Sequence, residues 1–267
     1  MADKSTDGNV EYVTLNSNIE HIKIHGLQRT GTNWLSHLIN ENFENTKALV
    51  NLGGWKHGPY SAPWMVGQEV HVLAIIKNPY SWLASMYNYW GPTKKLNIGP
   101  DLTGVSFDSF VRNRLIAERQ RDVPFLFRSA NPVQYWNDWN FHWTSIRLNT
   151  KKLCFVTYEA LIANTNEVVN QIGDTFGLTR KTEDITGSET TFIPSGETIK
   201  PSEEKFNKIN YYKNRVYLKN YTPDLLEFVN NEVDLDTMVH FGYNLVMPKE
   251  QANEINKICD ELEKGKQ

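Results

Sequence analysis

Gly26 and Gly31 bracket Leu27, Gln28, Arg29 and Thr30 in the stretch HIKIHGLQRTGTNWLSHLINENF, residues 21–43. A glycine-bounded loop that feeds a helix N-terminus can hold a phosphate, because unbonded backbone N–H groups and the helix dipole converge there. The glycine spacing is that of the G-x-x-x-x-G-K-[ST] nucleotide loop, but Thr32 and Asn33 stand where Lys and Ser/Thr belong. The lysine for the outer phosphates and the hydroxyl for Mg²⁺ are therefore absent from their usual places. A cation is present inside the loop instead, as Arg29. Those residue types suit a phosphate group bound without a loop-held metal. The plainer alternative is a glycine turn between a strand and a helix.

The elements around the loop must position it. Ile22 and Ile24 alternate with His21, Lys23 and His25, as in a short strand. Leu35, Leu38, Ile39 and Phe43 recur at helical spacing, predicting a helix to about Phe43. Residues 47–50 (KALV) predict a second strand, and the Gly- and Pro-rich run NLGGWKHGPYSAPW a loop. VHVLAII, residues 70–76, reads as a parallel strand buried on both faces. Asn78 is a good N-cap and Pro79 a good first residue for a helix carrying Leu83, Met86, Tyr87 and Trp90. Trp82, Ser85 and Tyr89 share its neighbouring face. Strand, loop and helix repeat in that order, which predicts an α/β fold with a mainly parallel central sheet flanked by helices.

Further along, residues 91–104 read as loop. Ser106 caps a predicted helix with Phe107, Phe110, Val111 and Leu115. Residues 118–131 read as an irregular segment with the makings of a lid. Pro132 opens a helix whose Trp136, Trp139 and Trp143 read as a core stripe, with an acceptor-pocket lining for part of it left open. Residues 152–157 (KLCFVT) predict another strand, leading into Tyr158-Glu159-Ala160-Leu161. Val168, Ile172 and Phe176 mark a helix that Gly177 ends. Residues 180–205 read as a long polar loop, and residues 206–233 as helix. Ile255, Ile258, Cys259 and Leu262 lie on one face of a C-terminal amphipathic helix, residues 249–267. Residues 1–18 read as a loosely ordered lead-in. No repeat or low-complexity run divides the chain, so residues 1–267 are expected to form one domain.

The chain has 267 residues, 40% hydrophobic and 22% charged, enough for one large domain with a full core. Aromatics at 12%, with eight Trp, favour a deep apolar core or an aromatic-lined cleft. A net charge of -3 argues against bulk nucleic-acid binding, so any anion site is a local cluster of cations. Two cysteines, Cys154 and Cys259, suggest a reducing compartment rather than a disulfide framework. The polar MADKSTDGNVEYV start has no apolar core of a signal peptide, and no run of 18 apolar residues predicts a membrane span. The expectation is a soluble, cytoplasmic protein with no membrane partner.

Arg29-Thr30-Gly31-Thr32-Asn33-Trp34 resembles the 5′-phosphosulfate loop, roughly K/R-S-G-T-T-W, of sulfotransferases that use 3′-phosphoadenosine 5′-phosphosulfate (PAPS). Lys77, Pro79 and Ser85 are similar to that family's Arg closing a buried strand with its following Pro and Ser. Tyr158-Glu159-Ala160-Leu161 is similar to its Y-E-D-L segment, and Lys56-His57 to its lysine–histidine pair after the second strand. The order of these elements across residues 22–161 carries the resemblance; the rest of the chain matches vaguely, as at Phe241-Gly242-Tyr243. The resemblance implies a three-layer, P-loop NTPase-like sandwich. It implies in-line transfer of a sulfuryl group from PAPS to an acceptor hydroxyl or amine, leaving 3′,5′-diphosphoadenosine (PAP), with no metal. By it, His57 is the general base and Arg29, with Lys56 as a second cation, stabilises charge on the leaving phosphate. Residues Gln28 to Asn33 hold the 5′-phosphate, Trp34 and Tyr158 contact the adenine, and Lys77 with Ser85 takes the 3′-phosphate. His25 is the rival base, expected to be structural.

The sequence also departs from the family pattern. Arg29 stands where many relatives have Lys, so it can stabilise charge but is a poor proton donor. Lys77 replaces the more usual Arg and loses the bidentate fork. Ala160 replaces Asp. The late R-K-G segment is missing, leaving Lys200, Lys205, Lys213 and Arg215 as candidates to complete the 3′-phosphate site. Two other readings remain open: a P-loop nucleotide or small-molecule kinase, and an inert nucleotide-binding module. The acceptor is open between a small molecule, a carbohydrate and a peptide, with residues 92–104, 118–131 and 180–205 expected to shape its pocket. The oligomeric state is also open.

Overall fold

The computed structural model describes residues 18–50, 52, 56–57, 70–90, 104–113, 115–116, 128–145, 153–187, 191–192, 198–199, 208–249 and 253. The predicted lead-in up to residue 17, most of the loops at 53–69, 91–103 and 117–127, Lys200, Lys205, Cys259 and the C-terminal helix beyond residue 253 lie outside them. In chain order the elements are β1 (Glu20–His25), α1 (Thr32–Asn42), β2 (Thr46–Leu49), β3 (His71–Ile76), α2 (Pro79–Trp90), α3 (Phe107–Arg112), β4 (Leu115–Ile116), β5 (Arg128–Ser129), α4 (Pro132–Ser145), β6 (Leu153–Thr157), α5 (Tyr158–Ala163), α6 (Thr165–Phe176), β7 (Thr191–Phe192), β8 (Thr198–Ile199), α7 (Lys208–Lys213), a 3-10 helix (Val216–Asn220), α8 (Pro223–Glu232) and α9 (Leu235–His240). They fall into two compact units, one of residues 1–76, 120–125 and 146–205, the other of residues 77–119, 126–145 and 206–267.

The first unit carries the central sheet. Its strands run β2-β1-β3-β6 and every pairing is parallel. This is the α/β architecture that alternating strands and helices predict. β3 is buried along its whole length, as its unbroken apolar run requires. β1 departs from the simple alternation: His21, Lys23 and His25 are buried along with Ile22 and Ile24. A buried polar group needs a partner. Lys23 donates from Nζ to the carbonyl of Val50 at 2.9 Å, and on the opposite strand face His71 bonds Glu20 at 3.1 Å and stacks on Phe176 at 4.8 Å.

α1 buries Leu35, Leu38 and Ile39, and Ser36 Oγ donates to the Ala48 carbonyl of β2 at 3.0 Å. α6 buries Val168, Val169, Ile172 and Phe176 and ends at Gly177, whose φ of 70° is the left-handed geometry of a helix stop. Phe43, just past α1, packs against Gly173 of α6 so closely that a Cβ there would lie 2.6 Å from its ring.

The second unit opens at Lys77. Asn78 caps α2, accepting from Tyr80 N at 3.1 Å, and Pro79 takes the first helical position. Trp82, Leu83 and Met86 are fully buried. Ser106 caps α3 as its sequence predicts, but the helix stops at Arg112. Asn113 is extended, and Leu115, expected on the helix, pairs with Ser129 in an antiparallel β4–β5 ladder. Trp136, Trp139 and Trp143 of α4 are all buried, as expected of a core stripe.

The continuous helix expected over residues 206–233 is instead three pieces. Arg215 takes the left-handed conformation at φ 49°, and Pro223, lacking an N–H, restarts the chain as α8 behind the Thr222 cap. The 180–205 stretch, expected as loop, contains the short antiparallel pair β7–β8.

The Asn78 cap sets where α2 begins. Asn78→Ala is expected to lower the unfolding free energy by about 1 kcal/mol and Asn78→Ser to leave it nearly unchanged, read from urea midpoints. An equal loss in both would show that the cap oxygen is not what matters at this position.

Candidate functional site

β1 ends at His25 and the chain turns sharply at Gly26. A Cβ there would lie 2.5 Å from Thr30 Oγ1 and 2.8 Å from the Ile75 carbonyl, so only glycine fits between the loop and β3. Thr30 closes the loop on itself, donating from N at 3.2 Å and from Oγ1 at 2.7 Å to the Leu27 carbonyl. Arg29, at the tip, is exposed and sits at φ 66°, a left-handed conformation that is uncommon for a side-chain-bearing residue. Gly31 follows at φ 90° and precedes α1.

The start of α1 offers donors. No side chain among the described residues caps it, and its first turn holds no acidic residue. The first helical bond inward runs from Leu35 N to the Gly31 carbonyl at 3.0 Å. The N–H groups preceding Leu35 are thus the orphan donors of a helix N-terminus, with the positive end of the dipole behind them. Tyr158, the first residue of α5 behind its Thr157 cap, lays its ring against Gly31; a Cβ on Gly31 would be 2.8 Å from Tyr158 Cε2. Gln28 and Thr32 are buried, while Asn33 and Trp34 are half-buried. The indole Nε1 of Trp34 meets no hydrogen-bond partner among the described residues.

The Lys56-His57 pair joins this loop through the backbone of Gly26. Gly26 N donates to the Lys56 carbonyl at 3.1 Å, and His57 Nδ1 donates to the Gly26 carbonyl at 2.5 Å. A carbonyl can only accept, so Nδ1 carries the hydrogen and Nε2 is the basic nitrogen. Lys56 Nζ donates to Asn33 Oδ1, so the residue in the usual hydroxyl position of a metal-binding loop tethers a lysine instead. Burial, the neighbouring Lys56 charge and the Lys23 charge push the His57 imidazole down to about 3, against the opposing pull of the Gly26 carbonyl. The ring is therefore neutral at physiological pH.

Gln28, Arg29, Thr30, Gly31, Thr32, Asn33, Trp34, Lys56, His57 and Tyr158 all belong to the first unit. His25, the rival base, is buried in β1. Lys77 and Ser85 belong to the second unit. There Lys77 is buried; its Nζ donates to Tyr212 OH at 2.9 Å and lies 4.9 Å from that ring's centre, and its carbonyl accepts from Trp136 Nε1 at 2.9 Å. Ser85 is half-buried on α2. Of the late basic candidates, Lys213 is exposed at the end of α7 and Arg215 half-buried beyond it. Sequence reasoning missed Lys23 and Tyr212. The signal for Lys23 was a lysine inside a short strand whose neighbours in the sheet are apolar.

The donor set of the loop fits a phosphate or phosphosulfate: orphan N–H groups, Arg29 and Lys56, with no acid in the helix's first turn. No group of His, Cys, Asp and Glu that could hold a metal ion occurs among the described residues. No helix among them is long and apolar enough to cross a membrane. The Cys154 thiol is pushed up to about 11 by burial and is not a reactive thiolate.

No protein-family model and no curated protein sequence matches the chain. Among solved structures, the mouse sulfotransferase SULT7A1 complexed with PAP aligns over 80% of this chain and 82% of its own, at 14% identity and a TM-score of 0.48.

The lowered His57 has a consequence for stability. The unfolded ring titrates near its ordinary 6.5 and the folded ring near 3, so below pH 6.5 the unfolded chain binds a proton that the folded chain does not. Stability present above pH 6.5 is lost as pH falls toward 3, with a slope of up to about 1.4 kcal/mol per pH unit. Between pH 6.5 and 5.5 the wild type is expected to lose about 1 kcal/mol more than His57→Gln, measured by urea unfolding. Equal losses would contradict a ring that the fold keeps neutral.

Proposed function

We propose that the protein is a PAPS-dependent sulfotransferase, working without a metal and acting on a hydroxyl or amine of a small-molecule, carbohydrate or peptide acceptor. The reading treats residues 1–267 as one such domain. The observation that carries it is the attachment of Lys56-His57 to Gly26: two backbone-level bonds bring a neutral imidazole and an ammonium to a phosphate loop some thirty residues away in sequence.

Bound PAPS would supply an activated sulfuryl group. The N–H groups from Gly31 to Asn33, with Gln28 and the turn at Thr30, hold its 5′-phosphate, and Trp34 and Tyr158 take the adenine. Lys77 and Ser85 take the 3′-phosphate, an assignment that rests on their spacing in the sequence. His57 Nε2 removes the acceptor proton as the acceptor oxygen or nitrogen attacks sulfur. The sulfur–oxygen bond to the 5′-phosphate breaks in line. Arg29 and Lys56 stabilise the charge that grows on the leaving oxygen, an electrostatic effect that is larger for groups already held in place. Asn33 holds Lys56, and the left-handed backbone at Arg29 presents its side chain from the loop tip.

A kinase reading keeps the same strand–loop–helix but lacks the lysine and hydroxyl that Mg²⁺-nucleotide chemistry places after the second glycine. Turnover of labelled PAPS against a panel of phenols, sugars and tyrosine peptides tests the proposal. His57→Ala is expected to lower kcat by about 10²- to 10⁴-fold while PAP binding stays within about twofold, since the ring bonds to the loop's backbone and not to the nucleotide. Undiminished sulfation by His57→Ala would remove His57 as the base.

A further inference from the structure

In a metal-dependent nucleotide loop, the residue two places after the second glycine is a Ser or Thr whose hydroxyl holds Mg²⁺. Here that residue is Asn33, the second residue of α1. Its Oδ1 is a kind of oxygen that can ligate a hard cation, but it accepts a hydrogen bond from Lys56 Nζ. A lysine on a loose segment would sample many positions, because its four-carbon stem is flexible and fixing it costs side-chain entropy. Lys56 is held more firmly than that. Its backbone carbonyl accepts from Gly26 N at 3.1 Å, and His57, the next residue, donates from Nδ1 to the Gly26 carbonyl at 2.5 Å. Lys56 is thus fixed at both ends, by its backbone on the glycine that opens the loop and by its ammonium on the helix that follows it. Lys56 and Asn33 are both half-buried, so neither is sealed from a ligand.

We infer that the Lys56 ammonium, held by Asn33, takes the place that Mg²⁺ has in metal-dependent loops, and that this pair makes anion binding by the loop independent of a metal. An ammonium carries three donors, so a bond to Asn33 fixes its position and is compatible with a second bond to an anionic oxygen. The orphan N–H groups at the start of α1 address the anion through the helix end, and Lys56 adds a full positive charge at the second residue of the same helix. That charge also acts against a metal. A divalent cation would have to share Asn33 Oδ1 with an ammonium, and the first turn of α1 has no carboxylate to offset the repulsion. The pair therefore selects an anion that arrives without Mg²⁺ over one that arrives with it. The inference rests on the proposed function for the identity of that anion, the 5′ end of the nucleotide; the replacement of a metal by an ammonium is a property of the loop itself.

The test is a double-mutant cycle in the full chain, read by calorimetric titration with PAP in chelator and again in excess Mg²⁺. Inorganic pyrophosphate, titrated in chelator, is the second probe. The wild type is expected to bind PAP equally in both conditions, and Lys56→Met to bind it about tenfold more weakly in chelator. Asn33→Ala is expected to weaken binding about threefold in the wild type and not at all in Lys56→Met, because Asn33 acts through the ammonium it holds. Lys56→Gln keeps a donor for Asn33 and removes the charge; it is expected to bind as weakly as Lys56→Met, and it decides even where Lys56→Met does not fold. In Lys56→Met with Asn33→Asp, whose carboxylate can ligate the metal, Mg²⁺ is expected to tighten binding about tenfold. Wild-type affinity in Lys56→Gln, an equal cost of Asn33→Ala in both backgrounds, or a Mg²⁺ effect no larger in the aspartate variant than in the wild type overturns the inference. If PAP does not bind the wild type but pyrophosphate shows the same coupling, the proposed function falls and the role of the pair stands; if neither anion binds, both fall.

Discussion

Gly26 exchanges bonds with Lys56 and His57 through its own backbone, and the candidate site depends on that exchange. Its N–H and carbonyl both face the incoming segment, and its missing Cβ leaves room for Thr30 and the Ile75 carbonyl. One residue thus serves three constraints: it turns the chain out of β1, leaves room for Thr30 to close the loop, and fixes the tautomer of the histidine. A side chain there would displace β3 or Thr30, and backbone at that depth in the sheet cannot yield cheaply. The parallel sheet supplies the rigidity. β1 and β3 are its inner strands, and ligand sites in open parallel sheets lie where such strands end.

The electrostatics follow from the same placement. Arg29 lies in the loop after β1 and Lys56 bonds Asn33 at the start of α1, where the helix adds the positive end of its dipole and no acid in its first turn. The chain as a whole is slightly acidic, with a net charge of -3, so this is a local concentration of positive charge and not a basic surface. Such a site favours a doubly charged anion and keeps a nearby imidazole neutral. Under the proposed function both effects would serve sulfuryl transfer, in which an anionic leaving group departs and a base accepts a proton. At Lys77 the second unit solves a similar problem with an aromatic partner: the Tyr212 ring and hydroxyl hold a buried ammonium.

Much of the architecture was legible because the strands and helices carry clean periods. The unbroken VHVLAII run announced a strand buried on both faces, and Asn78-Pro79 announced the start of α2. Where turn chemistry overrode periodicity the reading failed. Arg215 and Pro223 cut the helix expected over 206–233, and Asn113 leaves the α3 helix so that Leu115 becomes a strand residue. The loop was legible from its glycines, and the Lys56-His57 pair was singled out by the family resemblance. What could not be read was how they meet: Lys56 on Asn33, His57 on Gly26, and Tyr158 against Gly31 are contacts between distant segments, made by side chains with no local signature. Lys23 was hidden for the same reason. In isolation it reads as the polar half of an alternating strand, and only the sheet register shows it to be enclosed.

Under the proposed function the Gly26–Gly31 loop binds a phosphosulfate nucleotide without a metal. Calorimetric titration of the full chain with PAP in the presence of a chelator tests it most directly, with Mg·ATP titrated in parallel. PAP is expected to bind saturably without Mg²⁺ and more weakly in Arg29→Ala. Tight binding of Mg·ATP with no heat from PAP would contradict it.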